Sequence, residues 1–131
     1  MTKIIGILNL TLDSFSDGGL YYDLNSAKQH ITEMIDHGVD VIDIGAESTR
    51  SGFSDVSHVD QIKTLEPVID FINKNFDIPI SIDTRSSEVV RKFKNNNISF
   101  VNDVSSGIND KKMFECVAES GCNYIMTHMP E

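Results

Sequence analysis

The sequence predicts a parallel α/β fold of the barrel type, and three observations lead there. Five short apolar runs alternate along the chain with four stretches of helical period. Strands separated by helices in this way must lie parallel, because each connection is a crossover. The runs close on polar residues, and the unit itself recurs: "HGVDVIDIG", "NNISFVND" and "SGCNYIMTH" each place a helix-ending turn before a strand that finishes polar. An open doubly wound sheet would show the same alternation. However, no G-x-G-x-x-G follows the first run, which removes the support for its dinucleotide-binding version. The repeated βα unit favours a (β/α)8 barrel, represented here by its first five strands and four helices.

The first strand, "KIIGILNL" (3–10), is nearly continuous in apolar residues, as expected of a strand buried on both faces. About fifteen polar and glycine-containing residues follow, far more than the two to six of an ordinary connection, which marks a working loop. A helix over 25–38 carries Ala27, Ile31, Met34 and Ile35 on one face, starts at Asn25–Ser26 and stops at Gly38. "VDVIDIG" (39–45) is the second strand, and a polar loop runs from it to about residue 57. The second helix (59–75) aligns Ile62, Leu65, Val68, Ile69 and Ile72, with Pro67 as an awkward interior residue. "IPISIDT" (78–84) is the third strand, and the helix over 86–96 is capped by Ser86 or Ser87. A fourth strand (98–106), a fourth helix (110–121) and a fifth strand (122–129) complete the series.

Composition narrows the function classes. Twenty acidic against eleven basic residues give a net charge of −9, which argues against a nucleic-acid partner, since such binding runs on Lys and Arg neutralising phosphates. An anionic ligand must then be held by local devices: a metal, a single Arg, or backbone N–H groups. No apolar run approaches the length of a membrane span. No leader is expected, because Met1 lies within two residues of the first strand, and a cytoplasmic location follows. Cys116 and Cys122 lie in no metal-binding or redox pattern and read as small core residues. His30, His37 and His58 read as solvated, as does the basic run Arg91, Lys92 and Lys94, while His128 faces the rim without metal-binding partners.

Chemistry in such a barrel gathers at the C-terminal strand ends. Those ends carry Asn9 and Thr11, then Glu47 to Arg50, then Asp83, Thr84 and Arg85, then Asn102 and Asp103, then Thr127 and His128. Any one cluster reads as a turn or a helix cap. Five at equivalent positions point to a shared rim.

Four of these stretches, "ILNLTLDSFSDGG" (7–19), "IDIGAESTRSG" (42–52), "ISIDTR" (80–85) and "FVNDVSSG" (100–107), resemble in order the N-terminal signatures of dihydropteroate synthase. "IMTHM" (125–129) is similar to the family's fifth-strand ending, so the resemblance spans essentially the whole chain. It implies a pterin-binding (β/α)8 barrel of folate biosynthesis, the target of sulfonamides. The enzyme joins 6-hydroxymethyl-7,8-dihydropterin diphosphate to 4-aminobenzoate and releases pyrophosphate. The resemblance further implies a Mg2+ cofactor with Asn9 as its protein ligand, a carbonyl that suits an ion keeping mostly water and phosphate oxygens. Asp83 and Asn102 match residues that hydrogen-bond the pterin. Thr49 matches a substrate contact, and Arg50 is the cation for the diphosphate or the aminobenzoate carboxylate. Asp17 would stabilise a cationic pterin methylene in an SN1-like displacement, and Phe15 would cover the aminobenzoate ring. Both stand on a loop that closes over the site, with Gly18–Gly19 freeing its backbone.

The chain departs from the family pattern at Leu12 and Ser51, where the family usually has Pro; Ser51 would alter the wall of the aminobenzoate pocket. A complete barrel takes about 250 residues, so residues 1–131 are expected to be the N-terminal portion of the pterin-binding domain, inactive alone and homodimeric when full length. Two other readings remain open. One is a barrel of the methyltetrahydrofolate methyltransferase type, whose chemistry has no need of the D-S-F-S-D-G-G loop. The other is a non-catalytic pterin-binding half-barrel.

Overall fold

The computed structural model describes residues 2–10, 23–47 and 56–127. Phe15, Asp17, Thr49, Arg50, Ser51, Leu12, Thr11 and His128 lie outside the described residues. The elements run β1 (Ile5–Asn9), α1 (Leu24–Asp36), β2 (Val41–Gly45), α2 (His58–Asn75), β3 (Ile80–Asp83), α3 (Ser87–Phe93), β4 (Ile98–Asp103), α4 (Met113–Ser120) and β5 (Asn123–Met126). All strand pairs are parallel and their spatial order is that of the chain, β1-β2-β3-β4-β5. A doubly wound sheet reverses its order at a switch point, and this sheet never does. Right-handed crossovers between strands added in one direction put every helix on the same face, which is the arrangement of a barrel wall.

That helix-covered face holds the core. Leu8, Ile42, Ile44, Ile80 and Ile82 pack against Ile31 of α1, Leu65, Val68, Ile69 and Ile72 of α2, and Val89 and Phe93 of α3. A second cluster joins Val90 and Val101 to Met113, Cys116 and Val117 of α4. Burying each such branched side chain contributes about 1.5–3 kcal/mol. Both cysteines are free and serve as small core or near-core groups, with Cys116 Sγ turned to the Ser87 carbonyl and Cys122 Sγ to that of Ile98.

Helix ends follow the local chemistry more closely than periodicity allows. Asp23, two residues before the expected Asn25–Ser26 start, caps α1 by accepting from Asn25 N and Ser26 Oγ. Ser57 caps α2 through Asp60 N; Pro67 is accommodated within that helix. Neither Ser86 nor Ser87 caps α3 with its side chain. Asp110 accepts from Ser87 N at 2.7 Å and Thr84 Oγ1 from Ser86 N at 3.1 Å. The elements after β3 are shorter than the periodicity predicts: α3 stops at Phe93 and β4 at Asp103, α4 starts only at Met113, and left-handed residues stand at Asn97 before β4, at Ser106 after it and at Gly121, φ 75°, which ends α4 at the expected place. Gly38, at φ 95°, makes the corresponding turn after α1. L side chains disfavour this region, which is why helix-ending glycines were readable in the sequence.

The strand read as buried on both faces is not so. β1 alternates, with Gly6 and Leu8 buried and Ile5, Ile7 and Asn9 exposed. It is an edge strand, and no described element packs over its second face. His30, His37, His58, Arg91, Lys92 and Lys94 are exposed as expected. No described helix is long and apolar enough to cross a membrane.

Candidate functional site

The face of the sheet away from the helices is built in rows, because side chains alternate along each strand and parallel neighbours keep register. The last row runs Asn9, Gly45, Asp83, Asn102 and Ile125 across β1 to β5. The three candidate site residues that the structure describes, Asn9, Asp83 and Asn102, therefore stand side by side in one row at the C-terminal strand ends. Adjacent strands lie about 4.8 Å apart, so Asp83 and Asn102 are within reach of one small planar ligand, and Asn9 is about two strand spacings further along.

Gly45 makes this row possible. A Cβ there would stand 3.0 Å from Asp83 Cβ and 3.1 Å from the Asp83 carbonyl oxygen. Leaving it out lets Asp83 lean over β2 instead of being pushed away from it.

One row below, Asp43 of β2 pairs with Ser81 of β3, and Ser81 Oγ donates to Asp43 Oδ1 at 2.6 Å. Both are buried: Asp43 is 2% exposed and Ser81 not at all, whereas Ile7 on the edge strand keeps 67% of its surface. Burial pushes the Asp43 carboxyl above the usual range, opposed by hydrogen bonds from Ser81 and from the side chain of Asn102. Asp83 is pushed up to about 7, first by burial and then by repulsion from Asp43, Glu47 and Asp103, with Arg85 acting the other way. A carboxyl that changes charge near neutrality can accept from a ligand's N–H donors when ionised and donate when protonated.

The remaining polar strand ends serve the scaffold. Asp103, fully buried, accepts from Ser105 N, Ser105 Oγ, Gly107 N and Tyr124 Oη, fixing the loop after β4. It falls on the helix side because it follows Asn102 by one residue in an alternating strand. Thr84 Oγ1 donates to Gln61 at 2.9 Å, and Gln61 Nε2 to the Val56 carbonyl at 2.9 Å. Arg85 forms an ion pair with the nearly buried Glu47. A polar groove of about 430 Å³ between the start of α2 and the loop after β4 includes Glu47 and Arg85 but none of Asn9, Asp83 and Asn102. Chemically it is a neighbour of the row and not part of it.

Asp43, Ser81 and Gln61 were not singled out from sequence. Asp43 and Ser81 had a readable signal, since a lone carboxylate between the isoleucines of "VIDIG" and polar residues alternating with isoleucine in "ISID" mark an inward face. Gln61 had none, sitting in an amphipathic helix where a buried amide looks like any surface Gln.

Among the described residues no three His, Cys, Asp or Glu side chains are grouped to hold a metal. Asn9 is exposed at its strand end, and a neutral carbonyl there fits Mg2+, which takes few protein ligands and draws the rest from water and phosphate.

The family model described as "Pterin binding enzyme" matches residues 5–131. The dihydropteroate synthase of Staphylococcus epidermidis is 43% identical over 132 residues, covering 97% of this chain and 48% of the relative. The structure is similar to that of Clostridium difficile dihydropteroate synthase in the presence of pteroic acid, with a TM-score of 0.84, 39% identity and coverage of 98% and 49% of the two chains. It is also similar to the Yersinia pestis enzyme in complex with a sulfonamide drug, with a TM-score of 0.87, 35% identity and coverage of 98% and 46%. The chain spans about half the length of the curated relatives it matches.

Proposed function

Because the chain belongs to the pterin-binding enzyme family, we propose that it supplies the first five strands of a dihydropteroate synthase active site. In this reading the C–O bond between the pterin methylene and the diphosphate breaks heterolytically, and its electron pair leaves with pyrophosphate. The amine of 4-aminobenzoate captures the cationic methylene and loses a proton. The observation that carries the reading is the shared row of Asn9, Asp83 and Asn102. Asp83 and Asn102 are acceptors side by side, matched to the ring N–H and amino donors of a pterin. Asn9, further along the row, would hold Mg2+ near the diphosphate, where the ion would offset the charge building on the leaving group.

Asp17 would stand by the developing cation, and Arg50 by the diphosphate or the aminobenzoate carboxylate. Phe15 and Ser51 would line the aminobenzoate side, and Thr49 would make a further substrate contact. The 43% identity to a named synthase favours this reading over a methyltransferase-type barrel. We further place the intact protein in the cytoplasm as a homodimer.

The test is pyrophosphate release by the intact protein. Release should require both 6-hydroxymethyl-7,8-dihydropterin diphosphate and 4-aminobenzoate and should stop on chelation of divalent ions. Release that is indifferent to 4-aminobenzoate, or none at all, contradicts the reading.

A further inference from the structure

The connection from β2 to α2 is fastened at both of its described ends, and both fastenings lead to the turn that follows Asp83. At the start, Glu47 forms an ion pair with Arg85. At the end, Gln61 of α2 donates from Nε2 to the Val56 carbonyl at 2.9 Å and accepts at Oε1 from Thr84 Oγ1 at 2.9 Å. Thr84 Oγ1 in turn accepts from Ser86 N at 3.1 Å, and Thr84 N donates to the Asn102 carbonyl at 3.1 Å. Thr84 and Arg85 directly follow Asp83, so a single turn grips the connection and continues the strand that carries a residue of the ligand-facing row. The relay is dry, with Thr84 1% and Gln61 2% exposed. An amide has an accepting oxygen and a donating nitrogen, and Gln61 uses each on a different partner, which fixes its orientation. Glu47, Val56, Gln61 and Arg85 line the groove beside the row, so they act on a ligand only through what they hold.

We propose that Gln61 and Thr84 are positioning residues for the second substrate: with the Glu47–Arg85 pair they set both ends of the 48–55 connection at a fixed place relative to Asp83. That stretch includes Thr49 and Ser51, given substrate contacts above. The inference rests on the synthase reading and deepens it, by naming what places 4-aminobenzoate in line with a pterin held at Asp83. Reaction between two bound partners depends on their relative placement, and an error of about 1 Å costs up to about 100-fold. With its ends released, the connection would offer the right contacts in only a fraction of its conformations, and apparent affinity falls in proportion to that fraction.

The test is steady-state pyrophosphate release by the intact protein at saturating pterin diphosphate, alongside binding of 6-hydroxymethylpterin followed by its fluorescence. Q61M keeps the length of the side chain and removes both hydrogen bonds. It should raise the KM for 4-aminobenzoate about tenfold and leave the pterin Kd within about twofold, because the pterin contacts are separate. T84V removes the donor to Gln61 and keeps the shape of the side chain; it should raise the same KM about threefold to tenfold. Acting as one relay, Q61M/T84V should be no more than about twofold worse than the poorer single variant, whereas independent sites multiply. A merely structural role lowers the amount of folded enzyme, and with it the apparent kcat and the number of pterin sites alike, with KM unmoved.

If the wild type shows no pyrophosphate release that depends on 4-aminobenzoate, the functional reading falls and the proposal with it. If it does, and Q61M leaves the KM unchanged, weakens pterin binding equally, or multiplies with T84V, only the proposal is overturned. Should Q61M fail to fold, T84V alone carries the test, and an unchanged KM for 4-aminobenzoate in that variant overturns the proposal.

Discussion

Replacing Asp83 by Asn should make the protein more stable at alkaline pH and unable to read a pterin. In the folded state Asp83 is pushed from 3.8 up to about 7, chiefly by burial and then by Asp43, Glu47 and Asp103. Between those two values the folded chain keeps a proton that the unfolded chain has already released. Stability therefore falls as pH rises through that window and levels off above it. At about 1.4 kcal/mol for each pH unit, the full interval corresponds to about 4 kcal/mol. Solvent reaches part of the side chain, which lowers the expected gain to about 2–3 kcal/mol for a neutral amide of the same shape. Urea unfolding of wild type and D83N at pH 8 and pH 4.5 measures it. D83N should be the more stable at pH 8, and the gain should shrink to about 1 kcal/mol at pH 4.5, where wild-type Asp83 is neutral in the folded chain and only the unfolded chain has released its proton. A D83N protein that is less stable at pH 8, or a gain equal at both pH values, would refute the account of a repelled, buried carboxylate.

Three further outcomes are expected. G45A puts a methyl group 3.0 Å from Asp83 Cβ and 3.1 Å from its carbonyl oxygen; it should cost about 1–2 kcal/mol in urea unfolding and weaken pterin binding about tenfold or more, whereas G121A, at a helix end away from the row, should affect stability alone. R85M strands the nearly buried Glu47 without its ion-pair partner and should cost about 2–4 kcal/mol. Because Arg85 also holds down the pKa of Asp83, the alkaline end of the stability loss should move above pH 7 in that variant. D103N disturbs a buried acceptor serving four donors and should cost about 2–4 kcal/mol; the tyrosinate absorbance of Tyr124, held well above the ordinary range by burial and by Asp103, should then emerge at lower pH.

The strand and helix series was legible because two periods, 2 and 3.6, separate cleanly in this chain. The end points were less so. Asn tolerates left-handed backbone, but the run of Asn at 95–97 does not say which residue turns and Ser106 gives no such signal, so the ends of α3 and β4 fall earlier than the periodicity predicts. The rim was legible as a set of polar strand ends but not as a sorted one. Asn102 and Asp103 are neighbours in sequence and fall on opposite faces: one joins the ligand-facing row, the other ties down a loop. Only the register decides which is which. Asp43 and Ser81 were hidden by their apolar neighbours, although their alternation with Ile already pointed inward. The exposed face of β1 could not be foreseen from "KIIGILNL", since an edge strand and a central strand can share one composition. Phe15, Asp17, Thr49, Arg50 and Ser51 stand on the resemblance alone, and their roles remain proposals.

The central claim, that Asp83 and Asn102 together read a pterin edge, is tested most directly by NMR of the intact protein with 15N in its asparagine side chains. The Asn102 signals are identified by their loss in N102A. On titration with 6-hydroxymethylpterin the Asn102 Nδ2 resonances should shift saturably, while those of Asn73, whose amide is engaged by the Asn96 carbonyl away from the row, should stay in place. Saturable pterin binding that leaves the Asn102 resonances unmoved would contradict it.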